Sequence, residues 1–130
     1  MKQYEDAMKI YTIGNKYYKD KNNCSVVAVA VTTGVAYGAA FKALEKVGRI
    51  RGDGATTSQI RKALDYLGYK VRTVEKDFKT VKTVTDRLPS TGNFLAYTPS
   101  HVLSIRNGRV MDWTEGRRHR VYSVTEVIKK

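Results

Sequence analysis

The stretch His101-Val102-Leu103-Ser104-Ile105-Arg106-Asn107-Gly108-Arg109-Val110-Met111-Asp112-Trp113 decides how this chain is read. Two apolar runs flank Asn107-Gly108, the strongest short-range signal for a two-residue β-hairpin turn. Such a turn pairs Arg106 with Arg109, Ile105 with Val110, Ser104 with Met111 and Leu103 with Asp112. His101 and Asp112 then share a sheet face, two positions off direct opposition. That diagonal is roughly 7–8 Å between backbones, a gap that side chains of this length partly close.

Outward from the hairpin, Phe94-Leu95-Ala96-Tyr97 adds a preceding strand, and residues 121–127 read as a last strand or a frayed helix. Before the strands the texture is helical. Residues 78–88 read as a short helix with Phe78, Val81, Val84, Arg87 and Leu88 near one side, closed by Pro89, and residues 69–75 as a strand. Thr56-x-x-Gln59 matches a capping box, followed by the apolar stripe Ile60, Ala63, Leu64 and Leu67 and a C-terminal Gly68. A glycine-bearing loop over 49–55 precedes it. Val35, Tyr37, Ala40, Phe41, Leu44 and Val47 give another helix, stopped by Gly48. Tyr4, Ala7, Met8 and Tyr11 have the i, i+3, i+4, i+7 spacing of an amphipathic helix over 3–16, ending near Gly14.

The run Cys24-Ser25-Val26-Val27-Ala28-Val29-Ala30-Val31 has no clean period. Its valines fit a buried strand. A buried helix is preferred, because Asn22 and Asn23 are good N-cap residues and the alanines suit close packing. Helices first and antiparallel strands second make an α+β architecture, and 130 residues fit one domain over 1–130.

The composition narrows the function classes. With 42% hydrophobic residues and nine Tyr the chain is expected to be globular. No stretch approaches the roughly 20 apolar residues of a membrane span, and Met1-Lys2-Gln3-Tyr4-Glu5-Asp6 does not read as a signal peptide. One cysteine makes no internal disulfide and no cysteine-rich zinc site, so the expected setting is a reducing cytosol, with no metal and no cofactor. The balance of 24 Lys+Arg against 12 Asp+Glu gives a net charge of +12, which favours nucleic acid or acidic partners.

Cys24 stands where the apolar helix would begin, and a helix N-terminus with an imidazole nearby stabilises a thiolate. By itself a cysteine among valines is more often a small buried hydrophobe. His101 and Asp112 on one hairpin face change that balance. An aspartate accepting from one imidazole nitrogen fixes the tautomer and leaves the other nitrogen for a thiol. His119, in Arg117-Arg118-His119-Arg120, is a poorer base because neighbouring positive charge disfavours imidazolium.

Asn22-Asn23-Cys24 before an apolar helix, Thr33-Gly34-x-x-Tyr37, Gly54-x-x-Thr57-x-x-Ile60-x-x-Ala63-Leu64, His101-Val102-Leu103 and Asn107-Gly108-x-Val110-x-Asp112 together resemble small papain-like proteins related to the bacteriocin-processing cysteine peptidases. Similar short proteins are encoded by tailed bacteriophages, which would place this one in a host cytoplasm. The resemblance covers roughly residues 20 to 115. It implies a papain-like fold, a peptide or protein substrate, and a triad of Cys24, His101 and Asp112, with Asp where papain has Asn. One position departs from the pattern: Tyr18 stands where papain-like enzymes usually carry the glutamine that holds the oxyanion. The Cys24 backbone N–H and an Asn22 or Asn23 amide are left for that role.

A second reading uses the charge. Arg106, Arg109, Arg117, Arg118 and Arg120, interleaved with Trp113 and Tyr122, suit phosphate contact and base stacking. On that reading the protein is a catalytically inactive basic module that binds nucleic acid or an acidic host protein.

Overall fold

Helix α1, Cys24–Thr33, is buried from Ser25 through Thr32, on every side of its axis. A helix enclosed all round has no polar face, which is why its sequence shows no period. Burial of Val26, Val27, Val29 and Val31 stabilises it by roughly 1.5–3 kcal/mol each. Asn23 is the N-cap and its carbonyl accepts from the Val27 N–H at 3.0 Å, although its side chain forms no capping bond. Gly34, at φ 78°, ends the helix with its N–H on the Ala30 carbonyl at 2.8 Å.

This computed structural model describes residues 22–74, 80–99, 101–111 and 120–130, together with Lys16 and Lys19. The helix expected over 3–16 (Lys16 apart), Tyr18, Glu75, Phe78, Asp112, Trp113, Arg117, Arg118 and His119 lie outside the described residues.

Two further helices flank α1. Helix α2, Tyr37–Lys46, buries Tyr37, Ala40, Ala43 and Leu44, and Gly48 follows it at φ 107°. Helix α3, Thr57–Tyr66, starts at the predicted capping box: the Thr56 hydroxyl accepts from the Gln59 N–H at 3.1 Å, and the Gln59 side chain accepts from the Thr56 N–H at 2.9 Å. Its buried stripe is Ile60, Ala63 and Leu64.

The strands are β1 (Tyr69–Thr73), β2 (Asn93–Thr98), β3 (His101–Arg106), β4 (Arg109–Val110) and β5 (Ser123–Lys129). In space they run β1-β5-β2-β3-β4, antiparallel at every pairing. Asn107 at φ 53° and Gly108 at φ 78° form the β3–β4 turn, both in the positive-φ region that a type I′ hairpin requires. The register follows the sequence expectation: Arg106 faces Arg109, Ile105 faces Val110, and the Met111 N–H donates to the Ser104 carbonyl at 2.8 Å.

Side-chain alternation gives the sheet two covered faces. Leu95, Tyr97, Val102 and Met111 pack against α1, α2 and α3. Phe94, Leu103, Ile105 and Val124 pack against Val81, Val84 and Leu88. The helix expected over 78–88 is shorter in the structure, a single turn α4 at Val81–Val84. Its β-branched run Thr80-Val81-Lys82-Thr83-Val84-Thr85 carries little helix propensity, so packing on the sheet holds it instead. Residues 121–127 resolve as strand rather than helix, within β5 from Ser123 onward. Among the described residues no single helix is long and apolar enough to cross a membrane.

Candidate active site

Cys24 is the first residue of α1 and His101 the first residue of β3. Both are partly buried, and both line one cavity of about 510 Å³. Tertiary packing brings them there: α1 lies along β3 and the two elements begin at the same end of the domain. Strict alternation along β3 would turn His101 to the face opposite α1, beside Leu103 and Ile105. As the terminal residue of its strand it instead reaches the rim, where Thr98 faces it across the β2–β3 pair. The Thr98 hydroxyl donates to the His101 carbonyl at 3.3 Å and holds that end of the hairpin.

The cavity wall before the nucleophile candidate is made by Asn22 and by the loop after α2. A Cβ added to Gly54 would come 3.9 Å from Asn22 Nδ2, so the Asn22 amide lies over the glycine. Beneath, Arg49 is 4% exposed; its Nη2 donates to the Asn22 carbonyl and its Nε to the Asp53 carbonyl, each at 2.9 Å. The guanidinium therefore straps the lead-in to α1 onto the loop that forms the opposite lip. Sequence reading passed over Arg49, because one arginine among 24 Lys+Arg carries no distinguishing signal.

Of the two candidate oxyanion amides, Asn22 borders the cavity, whereas Asn23 is 1% exposed and is not among the cavity's lining residues. Asp112 and Tyr18 lie outside the described residues, so the geometry covers two members of the expected triad. Cys24 also packs against the large apolar cluster, as a small hydrophobe would.

At the back of the cavity Tyr97 is buried, and loss of solvent pushes its phenol up to about 12. The Thr125 hydroxyl and the Arg61 guanidinium nearby act in the opposite direction, and Tyr122 with the burial. The phenol is thus a neutral donor at any ordinary pH. Among the described residues no group of three His, Cys, Asp or Glu is placed to hold a metal ion.

Among the described residues, Arg106, Arg109 and Arg120 of the charge reading do not line this cavity. Arg106 and Arg109 stand at the Asn107-Gly108 turn, the far end of β3 from His101, about 17 Å away at strand rise. Arg106 Nη1 donates to the Val31 carbonyl at 3.5 Å, a cation at the C-terminal end of α1 where the helix dipole favours one. Arg120 forms an isolated bridge with Thr80, and Arg117 and Arg118 lie outside the described residues.

No family model, curated protein or solved structure matches this chain.

Proposed function

We propose that the protein is a papain-like cysteine hydrolase, acting on peptide or other acyl substrates through Cys24, His101 and Asp112. The observation that carries the reading is that Cys24, at the first turn of a buried helix, and His101, at the first position of a strand, line the same cavity. A thiolate at a helix N-terminus gains from the positive end of the dipole, and an adjacent imidazole both takes the thiol proton and returns it.

The reaction then runs in two halves. The Cys24 thiolate attacks the carbonyl carbon; the developing oxyanion is met by the Cys24 backbone N–H and the Asn22 amide; the His101 imidazolium protonates the leaving amine as the C–N bond breaks. Water, deprotonated by His101, next attacks the thioester, and the acid leaves as the thiol re-forms. Asp112 holds the imidazole in the working tautomer.

With one cysteine in the chain, alkylation by iodoacetamide has one source of signal. The expected outcome is fast labelling near pH 6 that collapses in His101→Ala. Labelling that rises only above about pH 8 and ignores the mutation overturns the proposal. The basic-module alternative draws on the net charge of +12. It would show as nucleic-acid binding that weakens steeply with salt and survives Cys24→Ala.

A further inference from the structure

A second, smaller cavity of about 230 Å³ adjoins the Cys24 cavity, and the two share Thr57 and Tyr97 as a common wall. Its lining is unlike that of the first. Arg61 of α3 stands at one side, Thr73 of β1 and Thr125 of β5 at the other, with the buried Tyr97 between and Val71 as the apolar patch. Tyr97 and Arg61 both line the cleft, and the Arg61 charge is close enough to the Tyr97 phenol to act on it. Among the described residues no carboxylate lines this cleft. The acids on its walls are turned elsewhere: Asp65 of α3 pairs with Lys130, and Glu126 of β5 with Arg72.

One guanidinium, one phenol and three threonine hydroxyls make a cleft rich in donors and, among the described residues, devoid of negative charge. Among those residues Arg61 is its one cation, which suits a monoanion, and a guanidinium with a neighbouring O–H donor matches the two oxygens of a carboxylate. A phosphate dianion would call for a second cation. We infer that this cleft is a carboxylate-recognition subsite, in which Arg61 and the Tyr97 hydroxyl hold an acidic group of the substrate while its reacting carbonyl lies at Cys24. The inference rests on the hydrolase reading for what happens at Cys24, but not for binding in the cleft itself. Because the two cavities share Thr57 and Tyr97 as a wall, the acidic group belongs on the part of the substrate next to the scissile bond.

Two alkylating reagents that differ only in charge test this: the α-amides of chloroacetyl-glutamate and chloroacetyl-glutamine. The acidic reagent is expected to label Cys24 about tenfold faster in the wild type. Arg61→Gln should erase that preference, and Tyr97→Phe should weaken it. Lys62→Gln removes the same charge from the neighbouring, exposed position of α3 and should keep the preference. Equal rates in the wild type, or an equal loss in Lys62→Gln, overturn the subsite in favour of general charge attraction. Protection of Cys24 by inorganic phosphate as strong as that by the monoanionic α-amide of acetyl-glutamate overturns the carboxylate assignment. Binding of that acetyl-glutamate amide followed by amide chemical shifts in α3 and β1 needs no reactive thiol. Arg61-dependent shifts with an inert Cys24 would sink the hydrolase and spare the subsite; an activated Cys24 with no such shifts would do the reverse.

Discussion

Arg49 donates to the backbone carbonyl of Asn22, 27 residues away, at 2.9 Å, while the same side chain reaches the Asp53 carbonyl. Neither acceptor is a carboxylate. These two backbone acceptors belong to the two segments that border the Cys24 cavity.

Arg49→Gln is therefore expected to destabilise the fold by about 2–4 kcal/mol, because it strips a charged donor from two carbonyls in a buried setting. Urea denaturation measures this. Arg49→Lys should recover only part of the loss, since an ammonium lacks the planar fork that spans both acceptors. Unchanged midpoints in both variants would show that the strap is dispensable.

Tyr97 predicts an alkaline weakness. Its phenol is pushed up to about 12 from 10.0 in the folded state, so the unfolded chain releases that proton first as pH rises. Stability is complete below pH 10 and falls between 10 and 12, by roughly 2–3 kcal/mol for this group. In Tyr97→Phe that component disappears. Urea midpoints of the two proteins compared from pH 8 to 12 should converge, and parallel curves would contradict the assignment.

Gly108 sits at φ 78°, and a Cβ there would meet Ser90 Cα at 3.3 Å. Gly108→Ala is expected to cost about 1–2 kcal/mol from backbone strain and crowding together. Thermal unfolding checks it, and a neutral result would mean that residue 90 yields freely.

The features legible in the sequence were those with local causes. Thr56 and Gln59 satisfy each other's backbone three residues apart, and Asn107-Gly108 sets a register that holds through Met111. Helix α1 was legible only through its caps and alanines, because enclosure by other elements removes the amphipathic period. The segment after β1 misled because valines spaced three apart suggest a helix, although their β-branched neighbours favour only the one turn that the sheet supports. Arg49 and Arg61 acquire meaning from where the chain brings them, one into the core and one to a cleft wall. Nothing in a basic sequence separates them from their neighbours.

Strand β5 lies between β1 and β2, though both are synthesised before it. On the ribosome, β1 and β2 have no partner in common until residues 123–129 emerge, so the sheet cannot close progressively behind the growing chain. Its contacts span large sequence separations, which slows folding and leaves apolar strand faces waiting. The cavity also waits, because Tyr122, which leads into β5 and donates its N–H to the Tyr97 carbonyl, joins the wall only when β5 docks. A nascent chain thus carries Cys24 without the finished cavity around it until residues 123–129 have emerged and docked.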